Sequence, residues 1–253
     1  MPDTADPHQF VKPFVYETLD SRAMHFTICE IQSRMKVQHP HALDLAYTRT
    51  MMAFLLFVPR PETLAMIGLG GGSMVKFCHR QLPDTRLEVV EINPHVIALR
   101  EQFQVPPDDA RLRVRRGDGA DFVRNTQDRL DVLLVDGFDH EGQPPALCSQ
   151  AFYDDCRTAL REDGLLVVNL HTAHPEFQRH VARLERAFDG EVLLVGDKEC
   201  SNTVAFAGRR ALRAPSQAGA MRKPRPLARQ AWDELLPAFA NVAAALQHQR
   251  EGG

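Results

Sequence analysis

The stretch that decides the fold is Leu64-Ala65-Met66-Ile67-Gly68-Leu69-Gly70-Gly71-Gly72-Ser73, in which an apolar run leads into a cluster of glycines. The apolar run, residues 64–69, predicts a buried β-strand, and residues 73–82 behind the glycines predict a helix. Glycine at a strand-to-helix turn lets a ligand approach the backbone and the helix N-terminus, which carries partial positive charge. A tight turn without a ligand also uses glycine, so the interpretation depends on the residues at the ends of the later strands.

Beyond this turn, short apolar runs alternate with helical segments. The runs suited to strands are 64–69, 86–92, 112–116, 130–136, 164–170, 192–196 and 203–207, and the segments suited to helices are 73–82, 94–103, 120–125, 150–161 and 175–188. Such alternation predicts an α/β fold, with a mostly parallel sheet of seven strands and helices on both faces. We therefore expect a Rossmann-like nucleotide-binding arrangement.

Two acidic residues stand at the carboxyl ends of the next two predicted strands. Glu91 lies nineteen residues after Gly72, where an acid accepts hydrogen bonds from both hydroxyls of a ribose. Asp118 is placed to accept from the exocyclic amine of adenine. Glu91 at a helix start, or Asp118 as a helix cap, would be equally satisfied without a ligand. Together they predict an adenosine site, and the candidate cofactor-binding residues are Gly68, Gly70, Gly71, Gly72, Glu91, Ile92, Asp118 and Gly119.

The fourth predicted strand delivers two more acids, Asp136 and Asp139, to the same edge of the sheet. If the strand order is 3-2-1-4-5, this strand lies beside the first, at the point where ligands bind in such sheets. Paired carboxylates can hold a cationic amine and remove its proton, and an amine with a pKa of about 10 needs that help at neutral pH. Both acids can also serve simply as turn caps. The adjoining polar, proline-containing loop, residues 140–146, is a candidate lid.

The rest of the chain divides by composition. We expect an N-terminal β hairpin or meander over residues 8–40, a catalytic nucleotide-binding domain over 41–208 beginning with a helix at 42–57, and an amphipathic helix at 231–250. Between the last two, residues 209–230 are rich in Lys, Arg and Pro and contain no acid. This composition predicts a flexible, solvated linker, with an RNA or membrane contact as the alternative.

Composition limits the classes of partner. The formal net charge is -3, which gives no global attraction to nucleic acid or anionic lipid. The five cysteines are scattered, and neither they nor the histidines have the spacing of a metal site, so no metal is expected. The first residues lack the pattern of a signal peptide, and no apolar stretch is long enough for a membrane span. We expect a cytoplasmic protein.

Over residues 12–208 the sequence resembles the spermidine synthase (polyamine aminopropyltransferase) family, whose nucleotide-binding part has the class I methyltransferase-type fold. The motifs that carry the resemblance are Glu30-Ile31-Gln32, Ala46-Tyr47-Thr48-Arg49, the glycine turn, Val90-Glu91-Ile92-Asn93-Pro94, Gly117-Asp118-Gly119, and Asp136-Gly137-Phe138-Asp139 leading to Phe152-Tyr153.

The resemblance implies transfer of the aminopropyl group of decarboxylated S-adenosylmethionine to an amine. It implies that Asp136 is the proton-accepting acid and that Asp139 binds the amine. Gln32 and Tyr47 would be substrate-pocket residues, with Gln32 also near the cofactor. A homodimer is implied by the resemblance only.

The chain also departs from the family pattern. The family's glycine turn usually reads Gly-Gly-Gly-Asp-Gly, and its acid helps to hold the aminopropyl amine, whereas the aligned position here is Gly71. The family's His-Glu after the pocket tyrosine is replaced by Thr48-Arg49. The late aromatic residue of the amine pocket has no clear equivalent in Glu199-Cys200-Ser201-Asn202. Two alternatives therefore stand beside aminopropyl transfer: an S-adenosylmethionine-dependent methyltransferase, and a catalytically silent binding paralogue.

Overall fold

A computed structural model describes residues 10–28, 31–127, 129–138, 142–196, 202–212, 223–224 and 226–251. The strands are β1 Phe14–Glu17, β2 Ser21–His25, β3 Ser33–Lys36, β4 Thr63–Ile67, β5 Arg86–Glu91, β6 Leu112–Arg116, β7 Leu130–Val135, β8 Leu160–His171, β9 Val192–Gly196 and β10 Asn202–Ala207. The α-helices are α1 Ala46–Met51, α2 Ser73–Gln81, α3 Pro94–Ala98, α4 Gly119–Asn125, α5 Gln150–Ala159, α6 Phe177–Ala187 and α7 Arg229–Glu251.

The central sheet has seven strands in the order β6-β5-β4-β7-β8-β10-β9. The pairs from β6 to β8 are parallel, and β10 runs antiparallel to both of its neighbours. The first five strands of this sheet thus follow the 3-2-1-4-5 order. The predicted mostly parallel, seven-stranded α/β fold is confirmed. Strand β4 lies at the switch point of the sheet, with β5 and β6 on one side of it and β7 and β8 on the other.

Both faces of the sheet are covered, which explains why its inner strands are apolar throughout. All five residues of β4 are buried. Leu64 and Met66 join a core with the residues of α1, α2 and α7, whereas Ala65 and Ile67 join a second core under α4, α5 and α6. Alternate residues of a strand point to opposite faces, so one short apolar run supplies both cores.

The N-terminal β segment is a separate antiparallel sheet in the order β1-β2-β3, as the sequence predicts. Met24 on β2 and Met35 on β3 are each only 1% exposed and join the core on the α2 side of the central sheet. This contact places the small sheet beside the carboxyl ends of the central strands.

The prediction of a single helix over residues 42–57 is wrong in the extent of the helix. Leu45 has an extended backbone, with φ -80° and ψ 134°, so helix α1 begins only at Ala46. A 3-10 helix, Met52–Leu56, continues from it, and all five of its residues are buried. The short first helix carries Tyr47 toward the central sheet.

Helix α7 packs across the buried 3-10 helix and β9 rather than extending away from the core. Leu235, Phe239 and Val242 are fully buried on one face. The carboxylate of Glu234 accepts a hydrogen bond of 2.9 Å from the backbone N–H of Leu43, just before α1. No helix in the described part of the chain is both long and apolar enough to cross a membrane.

Because Phe239 is completely buried, the variant Phe239→Ala is expected to lower the free energy of unfolding by about 3–5 kcal/mol. The variant Asn241→Ala, on the exposed face of the same helix, is the matched control and should change it by less than about 0.5 kcal/mol. Urea unfolding monitored by circular dichroism measures both. Equal stability of the two variants would show that α7 does not pack on the core.

Candidate active site

A cavity of about 1110 Å³ lies at the carboxyl ends of β4 to β8. Drug-sized ligands occupy cavities of about 300–1,000 Å³, so this one can hold a nucleoside together with a second small molecule. Residues from each of these strand ends contribute to its wall, and these are Gly68, Gly70, Glu91, Ile92, Asn93, Gly117, Asp118, Gly119, Asp136, Gly137, Phe138, Asn169 and His171.

The glycine turn brings the ends of β4 and β7 into close contact. Gly68 has φ +92°, and a Cβ there would lie 2.2 Å from the carbonyl oxygen of Asp136. Gly72 has φ +65°, and a Cβ there would lie 2.3 Å from Val105. Both glycines are therefore required by geometry alone. Gly68 and Gly70 line the cavity, and the wall-forming residues do not include Gly71 or Gly72.

Gly71 faces the protein interior. A Cβ at this position would lie 2.7 Å from Oγ of Ser33 and 2.8 Å from the ring of Phe103. Phe103 is 1% exposed and Ser33 is 7% exposed, so neither has free space to move into. The position where the family carries its acid is thus filled by two other side chains.

Glu91 joins the glycine turn to the start of α3. Its Oε2 accepts a 2.8 Å hydrogen bond from the backbone N–H of Leu69, and its Oε1 accepts one of 2.8 Å from Asn93 N–H. Burial raises the pKa of the Glu91 carboxyl, and the backbone hydrogen bonds lower it in part. A carboxylate offers about four acceptor sites, so Glu91 retains capacity to accept from a ribose hydroxyl.

Asp118 caps helix α4. Its Oδ1 accepts hydrogen bonds from the N–H groups of Ala120 at 2.7 Å and Asp121 at 3.2 Å. Oδ1 of Asp118 thus acts as the cap of helix α4, as one of the two interpretations expected. A contact between Asp118 and adenine stays a prediction. Ile92 is 44% exposed on the same cavity wall, which leaves an apolar surface open to a flat ring.

Asp136 lies at the centre of a side-chain network. Its Oδ2 accepts from the Tyr47 hydroxyl at 3.1 Å, and its Oδ1 accepts from Asn169 Nδ2 at 2.9 Å. Asn202 Nδ2 donates in turn to Asn169 Oδ1 at 2.9 Å, which fixes the orientation of that amide. Burial raises the pKa of the Asp136 carboxyl, and the bonds from Asn169 and Tyr47 offset part of that rise.

Sequence reasoning missed Asn169 and Asn202. The available signal was Asn169 itself, a polar residue that is 2% exposed within the apolar strand β8. A buried amide in such a strand needs partners, and its partners are the acid at the end of β7 and the amide at the start of β10.

Three further candidates are Gln32, Tyr47 and Asp139. Gln32 and Tyr47 line the cavity. Asp139 lies outside the described residues, as do residues 140 and 141, so the predicted acid pair is described at Asp136 only. In the described ranges, no group of three His, Cys, Asp or Glu side chains comes together that could hold a metal ion.

The fold and the site define an α/β protein of class I methyltransferase type, with a ligand cavity at the carboxyl edge of its sheet. Residues 44–192 match the family described as the spermine/spermidine synthase domain. The chain belongs to this family.

The similarity to individual proteins extends over most of the chain. The chain is 39% identical over 188 residues to a polyamine aminopropyltransferase of Neisseria meningitidis, and the match covers 74% of this chain and 72% of that protein. It is 37% identical over 189 residues to one of Chromobacterium violaceum, with the same coverage of 74% and 72%. A solved spermidine synthase in complex with the transition state analogue AdoDATO has the same fold, with a TM-score of 0.63 and 18% identity. The match covers 90% of this chain and 85% of that one.

The hydrogen bond from Asn169 favours the ionised form of Asp136, so its loss is expected to raise the pKa of this carboxyl further. In the variant Asn169→Leu, Asp136 should therefore remain protonated to a higher pH than in the wild type. Carbon-13 NMR of the labelled aspartate carboxyls measures the titration.

The control is Thr172→Val, which removes a neighbouring side-chain hydrogen bond between Thr172 and Thr203 without touching Asp136. This control should titrate like the wild type. An unchanged or lower titration midpoint of Asp136 in Asn169→Leu would contradict the role assigned to the amide.

Proposed function

We propose that this chain is an aminopropyltransferase that moves the aminopropyl group of decarboxylated S-adenosylmethionine to a small amine. The observation that carries the proposal is Asp136. Its carboxylate faces a cavity beside the glycine turn and is held there by Tyr47 and Asn169. Membership in the spermine/spermidine synthase family supports the same activity.

Aminopropyl transfer requires a general base and a fixed orientation of the reacting groups. Aminopropyl transfer forms a bond between the acceptor nitrogen and a carbon next to a sulfonium, and the carbon–sulfur bond breaks to leave methylthioadenosine. An ammonium group with a pKa of about 10 has no free electron pair, so the acceptor must lose a proton before it can attack. Asp136 accepts that proton, and the donors Tyr47 and Asn169 keep the carboxylate in a fixed orientation.

The remaining roles are assigned by position in the cavity. We assign the ribose hydroxyls to Glu91 and the adenine ring to the surface of Ile92, with Asp118 at its amine. Gly68, Gly70 and Gly119 line the cavity and are assigned to the cofactor, and Gln32 is assigned to both substrates. We assign the acceptor to Tyr47 and Gln32 together with Asp139. Gly71 and Gly72 shape the turn.

Gly71 favours a second candidate, a methyltransferase that uses intact S-adenosylmethionine. The family's acid at this position helps to hold the aminopropyl amine, and this chain has no room for one because Ser33 and Phe103 occupy the space. The third candidate, a silent binding paralogue, predicts ligand binding without turnover. The nucleoside product, or its absence, distinguishes the three candidates.

The test incubates the purified chain with either form of S-adenosylmethionine and a panel of small diamines. Aminopropyl transfer yields methylthioadenosine and a longer amine, both detected by mass spectrometry. Release of S-adenosylhomocysteine would support the methyltransferase instead. Binding of either cofactor without any product would support the silent paralogue.

In the same assay, Asp136→Asn should lower kcat/KM by about 10²–10⁴-fold, because the amide cannot accept the proton. Asp121→Asn is the matched control, since this aspartate is exposed on α4 and forms a surface ion pair with Arg124. It should keep wild-type activity. If the two variants have equal activity, Asp136 is not the base.

A second copy of the chain is the proposed protein partner, on the basis of the family resemblance. The N-terminal sheet leaves Phe14, Tyr16 and Leu19 exposed by 44%, 63% and 96%. Light scattering of the purified protein should give twice the mass of one chain. A monomer mass at micromolar concentration would contradict this proposal.

A further inference from the structure

The first described residues, 10–13, run past one end of the cavity. Phe10 and Val11 both line it, on the same wall as Ile92, Asn93 and Val96. This is the end formed by β5 and β6, to which the proposed function assigns adenosine. The segment lies about eighty residues earlier in the chain than the wall it completes, and no sequence motif marks it.

Two contacts tie the segment to this end. The side chain of Asn93 donates from Nδ2 to the carbonyl oxygen of Val11 at 2.9 Å. Its Oδ1 accepts from the N–H of His95 at 3.0 Å, so one amide both caps α3 and holds the segment. The guanidinium of Arg116, at the end of β6, lies 5.7 Å from the centre of the Phe10 ring, within the usual range of a cation–π contact.

The apolar side chains here are not satisfied by packing against the protein alone. Val11 is 40% exposed and Ile92 is 44% exposed, although both line the cavity. Both side chains therefore leave apolar surface accessible within the cavity. A flat, apolar ligand surface would cover them.

We propose that residues 10–13 form part of the nucleoside site, and that Asn93 is the positioning residue that holds them there. The ligand class is the adenosine portion of the cofactor or product, contacted by Phe10 and Val11. This inference rests on the proposed function, because it requires that the cavity binds a nucleoside. Asn93 acts through the segment, and its loss weakens nucleoside binding in particular.

The experiment measures the binding of 5′-methylthioadenosine by calorimetry. Aspartate and serine are both good helix caps, so Asn93→Asp and Asn93→Ser keep an acceptor for His95 N–H. Aspartate has no donor for the Val11 carbonyl, and serine replaces the donating amide by a shorter hydroxyl. Each should weaken binding by about three- to tenfold, the worth of one hydrogen bond. Phe10→Ala leaves the cap untouched and should weaken binding in the same direction.

Further readouts exclude a merely structural effect. The matched control, Asn241→Asp on the exposed face of α7, should bind like the wild type. In turnover, the Asn93 variants should raise the KM for the cofactor more than the KM for the amine. In the wild type, methylthioadenosine should slow amide hydrogen exchange in a peptide covering residues 10–16.

The outcomes are distinguishable. If the wild type binds the nucleoside and the two Asn93 variants and Phe10→Ala bind it equally well, this inference is wrong while the proposed function stands. If the wild type binds no nucleoside and releases none, the proposed function fails and the inference fails with it.

Discussion

One buried carboxylate holds the site together. Glu91 is 8% exposed and accepts hydrogen bonds from Leu69 N–H in the glycine turn and from Asn93 N–H at the start of α3. Removal of the Glu91 side chain would leave both N–H groups without this acceptor. Each buried N–H that loses its acceptor costs about 1–3 kcal/mol. The ends of β4 and β5 therefore keep their relative positions through Glu91. Asn93, fixed in this way, caps α3 and contacts Val11.

The sequence predicts the edge of the sheet well, because parallel strands all end on the same side. The acids at the ends of β5, β6 and β7, namely Glu91, Asp118 and Asp136, were expected at one place, and all three line one cavity. The spacing of apolar runs was sufficient for this result, since strand direction decides where the residue after each strand lies.

The parts that could not be predicted depend on contacts between distant segments. Asn169 meets Asn202 because β8 and β10 pair antiparallel with Asn202 opposite His171, and no local pattern specifies that register. Residues 10–13 carry no motif of their own. The helix predicted over residues 42–57 looked continuous because its residues are apolar at helical spacing, but extended Leu45 delays its start.

The absence of the family's acid at Gly71 is matched by the packing of the core around this position. The ring of Phe103 fills the space beside Gly71, and the carbonyl of Phe103 accepts a 2.8 Å hydrogen bond from the buried ammonium of Lys76. Burial lowers the pKa of Lys76 to about 8. An acid at position 71 would thus require changes in several packed side chains, so other groups would have to recognise the tail of the proposed cofactor.

On the proposed function, the cavity at the sheet edge holds an adenosyl group with its sulfur turned toward Asp136. A crystal structure with bound 5′-methylthioadenosine tests it most directly. The ribose hydroxyls should bond to the Glu91 carboxylate, the adenine should lie on Ile92, and the sulfur should face Asp136. A nucleoside bound elsewhere, or one whose sulfur points away from Asp136, would contradict the claim.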